Sequence, residues 1–236
     1  MRVRRIHPAG LPTADVLRLQ QWLAARVEAR GSLRGGLRLV AGVACSPSAD
    51  GHLHAAAVLC EAPHWTVIEQ SSASGLPPPA TLEGLASFRE APLVLEALRK
   101  LPGHPQVLLV GGHGRLHARR LGLASHVGLQ VDVPTVGVGL SLPVGSHRPA
   151  GPRRGDWVEV RDHAERLGLA LTTRPGMKPV YVSPGHRLGL LPGAKVVLAC
   201  ATRARLPEPL RQARLRSLAL ARSAGRLRRR GGRPRA

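Results

Sequence analysis

The sequence predicts a mixed α/β domain in which three antiparallel strands are followed by parallel strands, with helices flanking the sheet. Short apolar runs bounded by turn-forming residues recur along the chain and are typical of strands. The first three runs follow one another closely, whereas the later ones alternate with segments of helical periodicity. A chain of 236 residues has room for one substantial hydrophobic core.

The first half of the chain predicts a helix, an antiparallel meander and a second helix. Residues 13–30 carry apolar residues at helical spacing. Three apolar runs joined by short turns predict the meander: 37–45, 52–62 and 64–70. Residues 71–81 are rich in Ser, Pro and Gly and predict a loop. Residues 82–101 predict a helix that Pro92 bends or divides.

The second half predicts central strands separated by a helix, then a hairpin and a terminal helix. Residues 106–111 and 133–139 are typical of central parallel strands, and 117–129 predict the helix between them. The late strands are predicted at 156–161, 167–173 and 179–183. A helix is predicted over 207–221. This order of elements favours a mixed sheet of the RNase H type.

The predicted domain organisation is a single domain over residues 1–218 and a basic tail over 219–236. The tail is rich in arginine and poor in apolar residues, which predicts disorder. The chain is predicted to be a monomer.

Charge is the strongest bulk signal. Thirty-five Lys and Arg residues face fourteen Asp and Glu residues, giving a formal net charge of +21. Such an excess favours a polyanionic partner, and we expect DNA, with RNA as an alternative. Aromatic residues make up only 2%, so base stacking on them can be only a minor mode of recognition.

The location of the protein is predicted to be cytoplasmic. No apolar run is long enough for a membrane helix, so no membrane association is expected, and the amino terminus has no apolar signal region. Cys45, Cys60 and Cys200 are widely spaced in apolar, strand-like runs. This pattern indicates buried core residues, with neither a disulfide framework nor zinc-site spacing.

Five ordered blocks of the sequence carry a family resemblance. They are LRLVAGVACS (37–46), LASFREAP (85–92), LLVGGHGRLHARRLGLASHVGL (108–129), VPTVGVGLSL (133–142) and GMKPVYVSPGH (176–186). In this order and spacing they resemble the blocks of the endonuclease V family, over roughly residues 13–215. The resemblance implies an RNase H-like fold and a magnesium-dependent nuclease of DNA repair that recognises deoxyinosine and cuts 3′ to it. Some family members prefer inosine in RNA.

The chain departs from the family at the residues that hold the metal. The family uses three carboxylates, and the resemblance implies that Glu90 is the one retained here. Ala44 and Gly111 stand at the positions of the two metal-binding aspartates. Leu140 replaces a lysine, and Thr81 stands where a tyrosine would be inserted at the lesion. Mg²⁺ requires oxygen ligands, so two missing carboxylates predict weak or absent cleavage.

Other site positions are retained. The resemblance implies catalytic roles for His117 and His186 beside Glu90. It also implies a pocket for a flipped base or nucleic acid formed by these residues: Gly84, Gly112, His113, Gly114, Arg119 and Arg120. Alternative interpretations stay open, because Glu90 could be a surface residue, and the histidines and glycines could serve only the local fold.

The retained and altered positions leave three functions open. The first is an endonuclease V-like protein that binds inosine-containing nucleic acid but cleaves poorly. The second is an active endonuclease whose rearranged site uses Mn²⁺, a softer ion that Glu90 could bind together with His113 or His186. The third is a non-specific basic protein that coats nucleic acid. The glycines retained at the base pocket favour the first, and the missing carboxylates disfavour the second.

Overall fold

The computed structural model describes residues 1–8, 11–78 and 84–231, with side chains described as far as residue 224. Within these ranges the helices are α1 (Thr13–Ala24), α2 (Ala86–Arg99), α3 (Leu123–Gly128), α4 (Leu190–Cys200) and α5 (Glu208–Gly231). The eight strands are β1 (Leu39–Pro47), β2 (Leu53–Glu61), β3 (Thr66–Gly75), β4 (Val107–Gly111), β5 (Thr135–Gly139), β6 (Trp157–Asp162), β7 (Glu165–Leu171) and β8 (Val180–His186).

All eight strands form one mixed sheet in the order β3-β2-β1-β4-β5-β8-β7-β6. The meander β1–β2–β3 is antiparallel, whereas β4 pairs in parallel with β1 on one side and with β5 on the other. Strands β8, β7 and β6 complete the sheet in antiparallel pairing. The predicted order of antiparallel strands followed by parallel strands, flanked by helices, is thereby confirmed. Strand β8 extends this sheet and runs antiparallel to β5.

The sheet has a hydrophobic core on each face because alternate strand residues point to opposite sides. On one face, Val40 and Leu109 pack in a cluster with residues of α4 and α5. On the other, Val43 and Val110 pack with residues of α2 and α3. Strand β2 is buried along nearly its whole length since helices cover both of its faces.

Helix α5 approaches the sheet closely at Gly42 of β1. A side chain at this position would overlap the backbone carbonyl of Pro209. Glycine therefore lets the start of α5 lie directly on the strand. This contact places one face of α5 beside the end of β1.

Several sequence predictions differ from the structure. Residues 71–75 belong to β3 because they pair with β2, and were wrongly predicted as loop. The helix predicted over 117–129 forms only as α3, since residues 113–122 make a compact turn. Helix α4 was missed, and Cys200 lies in it rather than in a strand.

The carboxyl-terminal helix also differs from its prediction. Helix α5 continues to Gly231, ten residues beyond the predicted end at 221. The part of the predicted disordered tail that the structure describes, 219–231, is therefore helical. In the ranges that the structure describes, no helix combines the length and apolar character needed to span a membrane.

Candidate functional site

A cavity of about 390 Å³ lies where three neighbouring strands end. The ends of β1, β4 and β5 form one wall of it, and one face of α5 forms the other. Carboxyl ends of parallel strands meet at the same edge of a sheet, which is where α/β proteins place their sites. A larger groove, about 760 Å³, lies between the amino-terminal segment and α2 and has no lining residue from these strand ends.

Ala44 and Gly111 lie next to each other in the wall of this cavity. A Cβ atom on Gly111 would lie 3.4 Å from the Cβ of Ala44 and 3.2 Å from Cδ1 of Leu210. Leu140 lines the same cavity. The structure thus brings together the positions that the sequence singled out as altered, and an apolar side chain of α5 closes over them.

Arg214 of α5 also lines the cavity, and sequence reasoning did not select it. Its side chain is exposed, and no carboxylate pairs with it in the described part of the chain. The nearby Glu208 carboxylate accepts hydrogen bonds from Arg211 and Gln212 instead. Among the described residues, the cavity lining therefore contains one full positive charge and no carboxylate.

Glu90 lies on α2, on the other side of β1 from α5. Its charge contributes to the raised pKa of the Cys45 thiol, whose main cause is burial, so the two side chains are neighbours. Burial raises the pKa of Glu90 itself to about 7. Among the described residues, no side chain or backbone group donates a hydrogen bond to this carboxylate, and it does not line the cavity.

His113 and His117 lie in the turn after β4. The ring of His113 packs against Gly139, and its Nδ1 is buried without a hydrogen-bond partner among the described residues. Burial, and then the proximity of His117, lowers the pKa of His113 to about 4. The pKa of His117 is also lowered, first by burial and then by the charge of Arg119. Both rings are therefore neutral at pH 7.

His186 lies away from these residues. It pairs with Thr135 at the start of β5, whereas the cavity borders Gly139 at its end. The four intervening steps of strand separate the two ends by about 13 Å. The Nδ1 of His186 accepts a hydrogen bond from the backbone N–H of Glu28 at 3.1 Å, and burial lowers its pKa. The structure does not bring His186 to Ala44 and Gly111.

The glycines predicted to line a base pocket have different surroundings. Gly84 has φ +78°, and a side chain there would overlap the Arg119 guanidinium. Gly114 donates its N–H to Ser183 Oγ at 2.8 Å, and a side chain there would overlap the carbonyl of Pro184. Gly112 borders the cavity. Gly114 therefore serves the packing of the turn against β8.

Gln20 of α1 organises the segment around Gly84 and was missed by sequence reasoning. It is fully buried. Its amide N–H donates to the carbonyls of Gly84 at 2.9 Å and Leu121 at 3.2 Å, and its oxygen accepts from Arg119. A polar residue on the buried side of an otherwise apolar helical pattern was the available signal.

Arg120 lies in an ion-pair network with the β6–β7 hairpin. Its guanidinium donates to Asp162 at 2.8 Å and to Glu165 at 2.7 Å. Arg115 donates to the other oxygen of Glu165 at 2.6 Å. The charge of Arg120 is thus already matched within the protein. It anchors the turn, which leaves Arg119 as the arginine of this pair beside the predicted base pocket.

The residues at the strand ends do not fit a Mg²⁺ ion. Mg²⁺ binds carboxylates and keeps near-octahedral oxygen coordination. The cavity lining offers the methyl group of Ala44, the backbone of Gly111 and the apolar side chains of Leu140 and Leu210. In the portion of the chain with described structure, no cluster of three or more His, Cys, Asp or Glu residues could hold a metal.

Comparisons with known proteins agree with this fold. The family model "Endonuclease V" matches residues 21–215. Endonuclease V of Roseiflexus sp. is 43% identical over 200 residues, 85% of this chain and 89% of the relative. The crystal structure of Streptomyces avermitilis endonuclease V has a TM-score of 0.86 at 34% identity, covering 95% of this chain and 99% of that chain.

A third similar protein has been solved with nucleic acid. Ciona intestinalis endonuclease V, in complex with a 23mer DNA containing an inosine followed by a ribo-adenosine, has a TM-score of 0.77 at 24% identity. The alignment covers 89% of this chain and 97% of that chain. At this identity the likeness concerns the fold. On the family-model match and the 43% identity to a relative that is covered over 89% of its length, the chain belongs to the endonuclease V family.

Proposed function

We propose that this protein binds inosine-containing nucleic acid and that its metal-dependent strand cleavage is strongly reduced. The observation that carries the second part is the apolar contact between Ala44, Gly111 and Leu210 at the strand ends. Members of the family are metal-dependent nucleases, and this cavity offers no carboxylate from the part of its lining that the structure describes. Loss of a transition-state contact worth about 1.4 kcal/mol slows a reaction tenfold, so two missing ligands leave little cleavage.

Nucleic-acid binding is supported by charge and by the relatives. The formal net charge of +21 favours a polyanion. Arg214 is exposed beside the cavity, and Arg119 lies beside Gly84 and His117 at the predicted base pocket. The Ciona endonuclease V of the same fold was solved with DNA containing inosine. DNA is the proposed partner, and inosine-containing RNA is the alternative substrate.

The test is binding and cleavage measured on the same oligonucleotides. Matched strands with and without deoxyinosine are titrated by fluorescence anisotropy in EDTA, Mg²⁺ and Mn²⁺ over a salt series, and nicking is followed on denaturing gels. We expect tighter binding of the deoxyinosine strand in EDTA and no nicking above background in Mg²⁺.

Other outcomes would replace this proposal. Nicking near the lesion in Mg²⁺ or Mn²⁺ would show an active enzyme with a rearranged site that includes Glu90, whose carboxylate lacks a hydrogen-bond partner among the described residues. Equal affinity for both strands with a steep salt dependence would show non-specific binding, because counterion release does not depend on base sequence. The same series with inosine-containing RNA identifies the preferred nucleic acid.

A further inference from the structure

We propose that the cavity at the ends of β1, β4 and β5 binds a backbone phosphate of the nucleic acid directly through Arg214, without a metal ion. This inference rests on the proposed nucleic-acid binding and assigns a ligand class to the altered site. The ligand is a phosphodiester oxyanion. The cavity would thus hold the same substrate group as a metal site, with the positive charge supplied by the protein.

The charges around the cavity favour an anion. Ala44 and Gly111 contribute no charge where carboxylates would hold a cation. Of the lining residues that the structure describes, Arg214 carries the full positive charge and none is acidic. Two carboxylates lie near the described lining without being part of it: Glu90, which neighbours Cys45 from α2, and Glu208, which pairs with Arg211. A phosphate entering here would meet a cation without first displacing a carboxylate.

The guanidinium of Arg214 is available for such a contact. It makes no hydrogen bond or ion pair with another described residue, unlike Arg211 one turn earlier, which is held by Glu208. An arginine fork matches two phosphate oxygens in a bidentate arrangement, and such charge-assisted hydrogen bonds are among the strongest in proteins. Arg214 therefore has both the charge and the geometry that phosphate recognition uses.

The rest of the lining is suited to a desolvated anion rather than a hydrated cation. Three apolar residues line the same cavity, Leu206 before α5 and Leu210 and Leu218 on α5. Partial exclusion of water strengthens an arginine–phosphate contact. The cavity volume of about 390 Å³ lies within the range of about 300–1,000 Å³ that is usual for small-ligand sites.

The decisive experiment measures the affinity of three single variants for a deoxyinosine-containing oligonucleotide in EDTA. Arg214→Ala removes the proposed contact, and Arg214→Lys keeps the charge without the fork. Arg222→Ala is the matched control because Arg222 is exposed on the same helix and does not line the cavity. Circular dichroism and thermal unfolding establish that each variant is folded, as expected for exposed positions.

We expect Arg214→Ala to weaken binding at least tenfold and Arg222→Ala to weaken it no more than about threefold, with Arg214→Lys between them. Loss of one phosphate contact should also reduce the slope of log affinity against log salt by about one. As an independent check, Ala44→Asp places a negative charge in the cavity and should weaken binding in EDTA.

Equal effects of Arg214→Ala and Arg222→Ala would overturn this inference, as would wild-type binding that appears only with added Mg²⁺. Both results leave nucleic-acid binding itself intact. Absence of wild-type binding under every metal condition would overturn the proposed function together with the inference.

Discussion

Ala44 and Gly111 occupy adjacent positions at the ends of two parallel strands, and a Cβ on Gly111 would lie 3.4 Å from that of Ala44. Two carboxylates introduced here would therefore lie side by side, the arrangement that a shared divalent ion needs. The same Cβ would lie 3.2 Å from Leu210, which is closer than ordinary contact. Carboxylates at both positions consequently require the α5 side chain to move.

Restoring the carboxylates should restore some Mg²⁺-dependent nicking. We expect the variant Ala44→Asp, Gly111→Asp, Leu210→Ala to nick deoxyinosine-containing DNA about tenfold or more above the wild type, corresponding to about 1.4 kcal/mol of transition-state stabilisation. The matched control carries Asn in place of both aspartates, with the same Leu210→Ala change. Equal nicking by the two variants would mean that Leu140 or the pocket also limits the reaction.

Glu90 should make the stability of the protein depend on pH. Burial raises its pKa to about 7, so the folded state holds a proton that the unfolded state releases at lower pH. The contribution of Glu90 to stability is fully present below the pKa that this carboxyl has in the unfolded state. It is lost as the pH rises towards 7. At pH 8, urea unfolding should therefore give Glu90→Gln a free energy of unfolding higher than that of the wild type by on the order of 2 kcal/mol. Near pH 4 the two free energies should match.

The control for this prediction is Glu96→Gln on the same helix. The Glu96 side chain is 44% exposed and pairs with Lys100 at 2.8 Å, so its replacement should change stability little at either pH. A pH-independent difference between Glu90→Gln and wild type would contradict the assignment of a raised pKa to Glu90.

Gln20 should be necessary for the structure around Gly84. Gln20→Leu keeps the side-chain size but leaves the carbonyls of Gly84 and Leu121 without their donor. Such unsatisfied buried groups cost about 1–3 kcal/mol. Urea unfolding should show this loss, together with weaker discrimination of deoxyinosine by anisotropy. Gln21→Leu on the exposed side of α1 is the control, and an equal loss in both variants would argue against the role of Gln20.

Arg120 should contribute to stability and not to nucleic-acid affinity. Its side chain is mostly buried and pairs with Asp162 and Glu165, so Arg120→Ala should cost about 1–3 kcal/mol in urea unfolding. Because its charge is already matched, the salt dependence of DNA binding should not change. Arg166→Ala, which breaks a more exposed pair with Glu159, should cost about 1 kcal/mol or less. A smaller slope of log affinity against log salt for Arg120→Ala than for the wild type would instead show that Arg120 contacts nucleic acid.

The sequence predicted the central sheet well because its strands are apolar runs between clear turn signals. Residues 71–75 were missed since Ser and Gly are poor strand formers, and only their pairing with β2 holds them in β3. Helix α4 was missed because Pro192 and Gly193 interrupt a short apolar run, although proline is tolerated in the first turn of a helix. Tertiary contacts decided both cases.

Only those residues of the candidate site could be predicted whose place at the ends of neighbouring strands brings them together. Ala44 and Gly111 follow neighbouring strands, so their meeting could be anticipated from the predicted sheet. The sequence could not exclude His186 from the site, because it does not show the direction of β8. In the structure β8 runs antiparallel to β5, which places His186 at the far end of β5 from the cavity. Arg214 was not singled out, since an arginine in a strongly basic segment carries no signal until α5 is seen against the strand ends.

The length of α5 bears on the proposed binding of nucleic acid. Its 24 residues extend about 36 Å at 1.5 Å per residue, close to one full turn of B-form DNA, about 34–36 Å. The start of this helix lies against Gly42 of β1. A preformed helix loses less conformational freedom on association than a free coil, so under the proposed function α5 would lower the entropic cost of binding nucleic acid.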